Sequence, residues 1–291
     1  MESIAIGVSD PPAGMREALE AALRPLAHQG AAVDIQEVRR GALLFLGCRL
    51  EAGGAAGEFR RALAHALAEW IVGRRERDRL RQLIGTHYSY FNPEERERIL
   101  GMAEGQLDGD GDGEARAATR RARVRQRLAE YLERHNTLVV DGFVTFRLQD
   151  YVGELVAAVD RAVDDFLLER EYREFVGLLR HVVDSQPQRP AVAHCVFDAS
   201  GAFSLQDDGG RAVGTEFLEG VGPEAAARDI GVEDLMVSAL ITVAPHAVRL
   251  HVPDGAGVAL SQDALGTLRE VFGEQVTVCR GCTRCARQAE G

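Results

Sequence analysis

The sequence contains no lysine, so all 34 of its basic residues are arginine. Together with the abundant alanine and glycine, this indicates a genome-wide coding bias. Clustered arginines are therefore weaker evidence for phosphate recognition here than in other proteins. The formal net charge is −11. That acidic excess argues against a dedicated binder of nucleic acid or of an anionic membrane, because both partners repel an acidic surface.

Long apolar runs are also missing. The longest extends from Leu235 to Ala244 and is interrupted by Ser238 and Thr242, whereas a helix that spans a bilayer needs about 20 apolar residues. The first ten residues lack the basic and apolar regions of a signal peptide. The five cysteines are an odd number, unlike the even, dispersed set of an exported disulfide framework. These features predict a cytoplasmic protein without a membrane partner.

The pattern of apolar residues predicts a mixed α/β protein of the α+β class. A small α/β region is expected over residues 1–55, a helical domain over 58–186, and a C-terminal α/β domain over 190–291. The glycine-rich stretch after residue 52 and two prolines after residue 186 mark the boundaries.

Several local elements follow from capping and turn signals. Asn92 and Pro93 predict a helix start, and Ser261 predicts the cap of a helix that ends at Phe272. The segment Asp141 to Leu148 alternates in polarity like a strand or an extended link. A hairpin is expected around residues 192–205, and a final strand over 274–278 leads into a cysteine-rich tail.

That tail contains Cys279, Cys282 and Cys285 in the spacing Cys-x-x-Cys-x-x-Cys. Such a run can bind three corners of a [4Fe–4S] cluster, or it can supply three of the four ligands of a tetrahedral zinc ion. Arg280 and Arg284 between the thiols favour the thiolate form. A reduced tail without metal and a dithiol that oxidises are the alternatives.

Both metal-binding interpretations require a fourth ligand, and nothing after Cys285 supplies it. The candidates elsewhere in the chain are Cys195, His194, Cys48, His246, His251 and a cysteine from a second copy. Cys195 and His194 are neighbours on a predicted strand, so their side chains point to opposite faces and only one can reach a given site.

An arginine row on the predicted helix after residue 115 is a second candidate site. Its members, Arg116, Arg120, Arg123 and Arg127, fall on one helix face. They can bind phosphates or an acidic partner. Alternatively, they can form a solvated face that pairs with acidic residues of neighbouring helices. The missing lysine and the acidic balance favour the second interpretation.

Several stretches of the middle and C-terminal parts carry a family resemblance. They are Tyr88-Ser89-Tyr90-Phe91-Asn92, Asp141-Gly142-Phe143-Val144-Thr145-Phe146-Arg147-Leu148 with Tyr151, Glu171-Tyr172 with Phe175-Val176, and Ser238-Ala239-Leu240-Ile241-Thr242-Val243-Ala244-Pro245. In them the chain resembles the YtxC-like sporulation proteins of endospore-forming bacteria. The resemblance implies a cytoplasmic protein associated with sporulation, and it implies no activity and no site residues.

The sequence contains no Walker loop, Gly-x-Ser-x-Gly elbow or His-Glu-x-x-His helix. We therefore expect no catalytic residues and a non-enzymatic regulatory or scaffolding role with a protein partner. Self-association into a homo-oligomer is compatible with the sequence. A zinc or iron–sulfur protein that uses the cysteine tail is the alternative from a different functional class, and a nucleic-acid-associated factor is a weaker one.

Overall fold

A computed structural model describes residues 1–9, 14–51, 55–109, 111–186, 190–198, 202–214, 231–252, 260–279 and 281–285. The chain divides into two units, Met1–Leu168 and Glu169–Gly291. Each unit has its own hydrophobic core and its own sheet. The mixed α+β class predicted from the sequence is confirmed.

The first unit contains a four-stranded sheet in the order β2-β3-β1-β4. Its strands are β1 (Glu2–Val8), β2 (Val33–Arg40), β3 (Leu43–Leu50) and β4 (Thr137–Val139). Strand β1 pairs antiparallel with β3 and parallel with β4. Because side chains alternate along a strand, Ile4, Ile6 and Val8 all point into the core.

Helices form the rest of this unit. They are α1 (Met15–His28), α2 (Ala56–Trp70), α3 (Glu76–His87), α4 (Pro93–Asp108), α5 (Gly113–Leu132), α6 (Val140–Arg147) and the first part of α7 (Gln149–Ser185), with a π-helical turn at Ile71–Arg75 between α2 and α3. Phe59, Leu63 and Leu67 are buried on α2 at the predicted helical spacing. In the described part of the chain, no helix has the length and apolar character needed to span a bilayer.

The prediction of a strand over Asp141–Leu148 is wrong, because this segment forms helix α6. Val140, Phe143 and Val144 contact the core at positions i, i+3 and i+4, which is a helical spacing. Val144, Phe146 and Leu148 recur at every second position, which is the spacing of a strand, so the sequence pattern alone is ambiguous.

Helix α4 begins with the predicted cap, which closes as a full capping box. The Glu95 backbone N–H donates to Asn92 Oδ1 at 2.9 Å, and the Asn92 N–H donates to Glu95 Oε2 at 2.9 Å. Asn92→Ala is therefore expected to lower the free energy of unfolding by about 1 kcal/mol in urea denaturation.

Asp112 provides the matched control, since it occupies the N-cap of α5 without a side-chain capping hydrogen bond. Asp112→Ala is expected to change the free energy of unfolding by less than about 0.5 kcal/mol. Equal losses in the two variants would contradict the assigned role of the Asn92 side chain.

The second unit contains a sheet in the order β6-β5-β7-β8. Its strands are β5 (Val192–Phe197), β6 (Phe203–Gln206), β7 (Ala247–His251) and β8 (Val276–Cys279). Strands β5 and β6 form the predicted antiparallel hairpin. Strand β7 is parallel to both β5 and β8, so the carboxyl ends of these three strands meet at one edge of the sheet.

Two described helices complete the second unit together with the last part of α7. They are α8 (Val232–Val243) and α9 (Gln262–Phe272), which Ser261 caps through a hydrogen bond from the Ala264 N–H to its hydroxyl. A short 3₁₀ turn at Gly273–Gln275 then leads into β8. Helix α9 and β8 therefore place the cysteine tail at the carboxyl edge of the sheet.

Candidate metal centre

Four metal-ligating side chains converge at that edge. They are His251 at the end of β7, Cys279 at the end of β8, and Cys282 and Cys285 in the turn that follows. Their ligand atoms all lie within 4.8 Å of one another, so the group can hold a metal ion. The three predicted cysteines are brought together, and the fourth member is a histidine.

The cluster is tightest around the His251 ring. Its Nδ1 lies 3.4 Å from the Cys282 sulfur and 3.5 Å from the Cys285 sulfur. The Cys285 sulfur in turn lies 3.7 Å from that of Cys282 and 3.9 Å from that of Cys279. All four atoms can therefore contact one ion placed between them.

Strand pairing explains why these residues meet. In the parallel register of β7 and β8, His251 is the direct neighbour of Cys279. Gly281 then adopts a φ of 142°, a conformation that side-chain-bearing L-residues rarely adopt. Cys285 is buried, whereas Cys282 is exposed.

The two thiols of the turn differ in their electrostatics. The backbone N–H of Cys285 donates to the Cys282 sulfur and lowers the pKa of that thiol, with a further contribution from the N–H of Arg284. Burial instead raises the pKa of Cys285 to about 11. Cys282 is therefore the first of the two to reach the thiolate form, in which cysteine binds metals.

Burial also lowers the pKa of His251, assisted by the charges of His194 and Arg284. A lowered pKa keeps the imidazole neutral at physiological pH. A neutral ring leaves one nitrogen lone pair free to coordinate a metal.

Behind the ligand group, His251 contacts a second buried histidine. His251 Nε2 lies 2.8 Å from His194 Nδ1, and His194 Nε2 lies 3.0 Å from Asp208 Oδ1. The two rings stack with an interplanar angle of 25° and centroids 5.1 Å apart. His194 is thus placed beside the candidate ligand His251 rather than in the four-residue group.

Arg284 connects the cysteine turn to the segment after β6. Its guanidinium donates to Gln206 Oε1 at 3.1 Å and to the backbone carbonyl oxygen of Asp208 at 2.6 Å. Arg280, the other arginine of the tail, lies outside the described residues.

The other candidate fourth ligands lie elsewhere. Cys195 pairs with Leu250 across β5 and β7 and is fully buried, and burial strongly raises its thiol pKa. Cys48 lies on β3 in the core of the first unit, where burial raises its pKa to about 12. His246 is exposed just before β7.

The arginine row lies along α5, and two of its members are bound by carboxylates. Arg123 pairs with both oxygens of Glu154 at 2.5 and 2.7 Å. Arg120, expected on a solvated face, is instead buried and pairs with Glu76 at 2.9 and 3.2 Å. A fully solvated face is thus wrong for Arg120, because the carboxylate of Glu76 compensates its burial.

Comparison with known proteins identifies the family. The model of the YtxC-like family matches residues 61–277, about three quarters of the chain. A curated relative, "Uncharacterized protein YtxC" of Bacillus subtilis (strain 168), is 26% identical over 160 residues, which cover 54% of this chain and 56% of the relative. The chain thus spans about half the length of that relative. No solved structure matches.

The family match and the candidate metal centre overlap only in part. His251 lies within the matched range, whereas all three cysteines follow its last residue, 277. The match therefore carries no information on the cysteines, and their assignment depends on the geometry described above. The chain belongs to the YtxC-like family.

Proposed function

We propose that this protein is a zinc-binding, non-enzymatic regulatory or scaffolding protein whose metal fixes the C-terminal turn to the sheet. The observation that carries the proposal is the spacing of the ligand atoms. A tetrahedral zinc ion with sulfur at about 2.3 Å and nitrogen at about 2.0 Å holds its sulfurs about 3.8 Å apart and each sulfur about 3.5 Å from the nitrogen. Two of the three sulfur pairs are 3.7 and 3.9 Å apart, two of the three sulfur–nitrogen pairs are 3.4 and 3.5 Å apart, and the remaining pairs lie within 4.8 Å.

The same spacing favours a single ion over an iron–sulfur cluster. In a [4Fe–4S] cluster each thiolate binds a different iron atom, which holds the sulfurs about 6 Å apart. The Cys285 sulfur is within 3.9 Å of both other sulfurs. Bridging a cluster would require the whole turn to open.

The composition of the ligand set supports a structural role for the metal. Three cysteines and one histidine fill the four positions of a tetrahedral zinc ion, whereas catalytic zinc sites keep one position for water or substrate. Thiolate ligands also require a reducing compartment, which supports the cytoplasmic location. The family resemblance supports an association with sporulation, and in this proposal the protein acts through a protein partner.

Elemental analysis of anaerobically purified protein tests this proposal. The wild-type chain is expected to contain one zinc per molecule, and Cys282→Ser is expected to lose it, because the variant lacks one of the three sulfurs of the group. Cys48→Ala is the matched control, since it removes a free buried thiol outside the group. It is expected to retain zinc.

Two outcomes would overturn the metal assignment. Iron with inorganic sulfide and absorbance near 400 nm would establish a cluster and favour a redox protein. A wild-type chain without bound metal after purification and after zinc addition would leave the cysteines as a reduced tail.

A further inference from the structure

We infer that the buried His194 and the exposed carboxylate of Asp208 form a hydrogen-bond relay that sets the ring tautomer of His251 and thereby directs its Nδ1 at the metal. This inference rests on the proposed function and concerns how the same site is organised. The three residues lie on β5, on β7 and in the segment after β6.

The direction of the relay follows from its last member. A carboxylate can only accept hydrogen bonds, so the contact at 3.0 Å from Asp208 Oδ1 requires a proton on His194 Nε2. The contact of 2.8 Å between His251 Nε2 and His194 Nδ1 holds one proton, and in the inferred relay this proton is on His251 Nε2, so that His194 Nδ1 accepts.

That tautomer leaves the lone pair of His251 on Nδ1, the atom next to the cysteine sulfurs at 3.4 and 3.5 Å. The proton that Asp208 requires on His194 Nε2 and the bare Nδ1 that a metal requires on His251 are both satisfied by this one arrangement of protons.

Burial of the two histidine rings makes the loss of the hydrogen bond between them energetically costly. His194 and His251 are 4% and 3% exposed, so a ring nitrogen that loses its partner has little water to replace it. Groups that accept a hydrogen bond from the ring of a metal-bound histidine raise the basicity of that ligand, and their loss weakens metal binding by about 10- to 100-fold. His194 and Asp208 are thus positioning residues that act through His251.

Arg284 also contacts the segment after β6 that contains Asp208. It donates to the backbone carbonyl of Asp208 at 2.6 Å, while the Asp208 side chain accepts from His194 at 3.0 Å. Two hydrogen bonds close the turn from Asp207 to Arg211: the Asp207 N–H donates to the Arg211 carbonyl oxygen, and the Arg211 N–H donates to Asp207 Oδ1. Metal binding is therefore expected to order this turn as well as the cysteine turn.

Two nearly isosteric substitutions separate the relay from simple packing. His194→Asn keeps an acceptor near the position of Nδ1, whereas His194→Leu has a similar shape and no acceptor. In competition with a chromophoric zinc chelator, His194→Leu is expected to bind zinc about 10- to 100-fold more weakly, and His194→Asn is expected to stay close to wild type. His246→Asn changes an exposed histidine next to β7 and is expected to have no effect.

The tautomer itself is read by ¹⁵N nuclear magnetic resonance of the histidine rings, with and without zinc. Wild type is expected to show His251 protonated on Nε2 in both states, and His194→Leu a mixture of tautomers without metal. Equal zinc affinities of the Asn and Leu variants, or a wild-type His251 protonated on Nδ1, would overturn the relay. If the wild-type chain binds no zinc but His251 is protonated on Nε2, the proposed zinc-binding function is wrong. The assignment of the hydrogen bonds among Asp208, His194 and His251 is then retained.

Discussion

Replacing Cys285 with serine is expected to abolish tight metal binding and to unfold the carboxyl edge of the second sheet. The Cys285 sulfur is buried and lies within 3.9 Å of the other three ligand atoms. Its loss removes a soft ligand and opens the tetrahedron, so zinc affinity is expected to fall by more than about 100-fold.

The stability effect follows by linkage. A ligand that binds only the folded state at a concentration of 1,000 times its dissociation constant stabilises that state by about 4 kcal/mol. Structural zinc sites release still larger binding free energies, about 10–16 kcal/mol in isolated peptides. A chelator is therefore expected to lower the melting temperature of the wild type and to leave that of Cys285→Ser unchanged.

Hydrogen exchange localises the effect. In the variant, and in wild type with chelator, β7, β8 and the turn 281–285 are expected to lose protection, while the core of the first unit keeps it. The control Cys48→Ala changes only the first unit and is expected to respond to chelator as wild type does. A wild-type melting temperature that is insensitive to chelator would contradict a structural metal.

Removing the guanidinium of Arg120 is expected to destabilise the first unit strongly. The Arg120 and Glu76 side chains are 6% and 12% exposed and pair at 2.9 Å. Arg120 also donates to the Leu107 carbonyl at 2.9 Å, and Tyr151 donates to Glu76 at 2.9 Å. Burial raises the pKa of Tyr151, with a further contribution from the charge of Glu76, which keeps the hydroxyl as a donor.

Arg120→Met leaves the Glu76 carboxylate without its cationic partner, while the Tyr151 hydroxyl still donates to it. Breaking one side of such a pair costs about 3–5 kcal/mol of unfolding free energy, most of it from the uncompensated charge. The double variant Arg120→Met with Glu76→Gln removes both charges and is expected to recover part of that loss. Urea denaturation of the two single variants and the double variant gives the coupling energy.

Arg123→Met is the matched control, because Arg123 lies on the same helix and also contacts both oxygens of one carboxylate. Its side chain is 51% exposed and that of Glu154 is 37% exposed, so the pair is worth at most about 1 kcal/mol. If Arg120→Met costs no more than Arg123→Met, burial is not the source of the Arg120 contribution.

Local signals in the sequence were sufficient for most elements and for three of the four candidate ligands. The cap at Asn92, the cap at Ser261 and the hairpin of β5 and β6 depend on neighbouring residues, and all three are confirmed. The spacing of the three cysteines is likewise a local pattern, since it spans only seven residues. Such short-range patterns are independent of how the strands are ordered in the sheet.

The remaining features depend on long-range pairing. His251 becomes the fourth member only because β7 lies parallel to β8 with His251 opposite Cys279, a register that no nearby residue specifies. Asp208 lies in a polar, glycine-rich turn and is exposed, as sequence patterns predict, but its contact with His194, 14 positions earlier, depends on the pairing of the strands. The burial of Arg120 depends on Glu76, 44 positions earlier, in the same way.

X-ray absorption spectroscopy at the zinc edge of the purified wild-type protein tests the central claim most directly, because it reports the ligand atoms themselves. The account predicts a first shell of three sulfurs at about 2.3 Å and one nitrogen at about 2.0 Å. A shell of oxygen and nitrogen only, or metal present as iron with bridging sulfide, would contradict it.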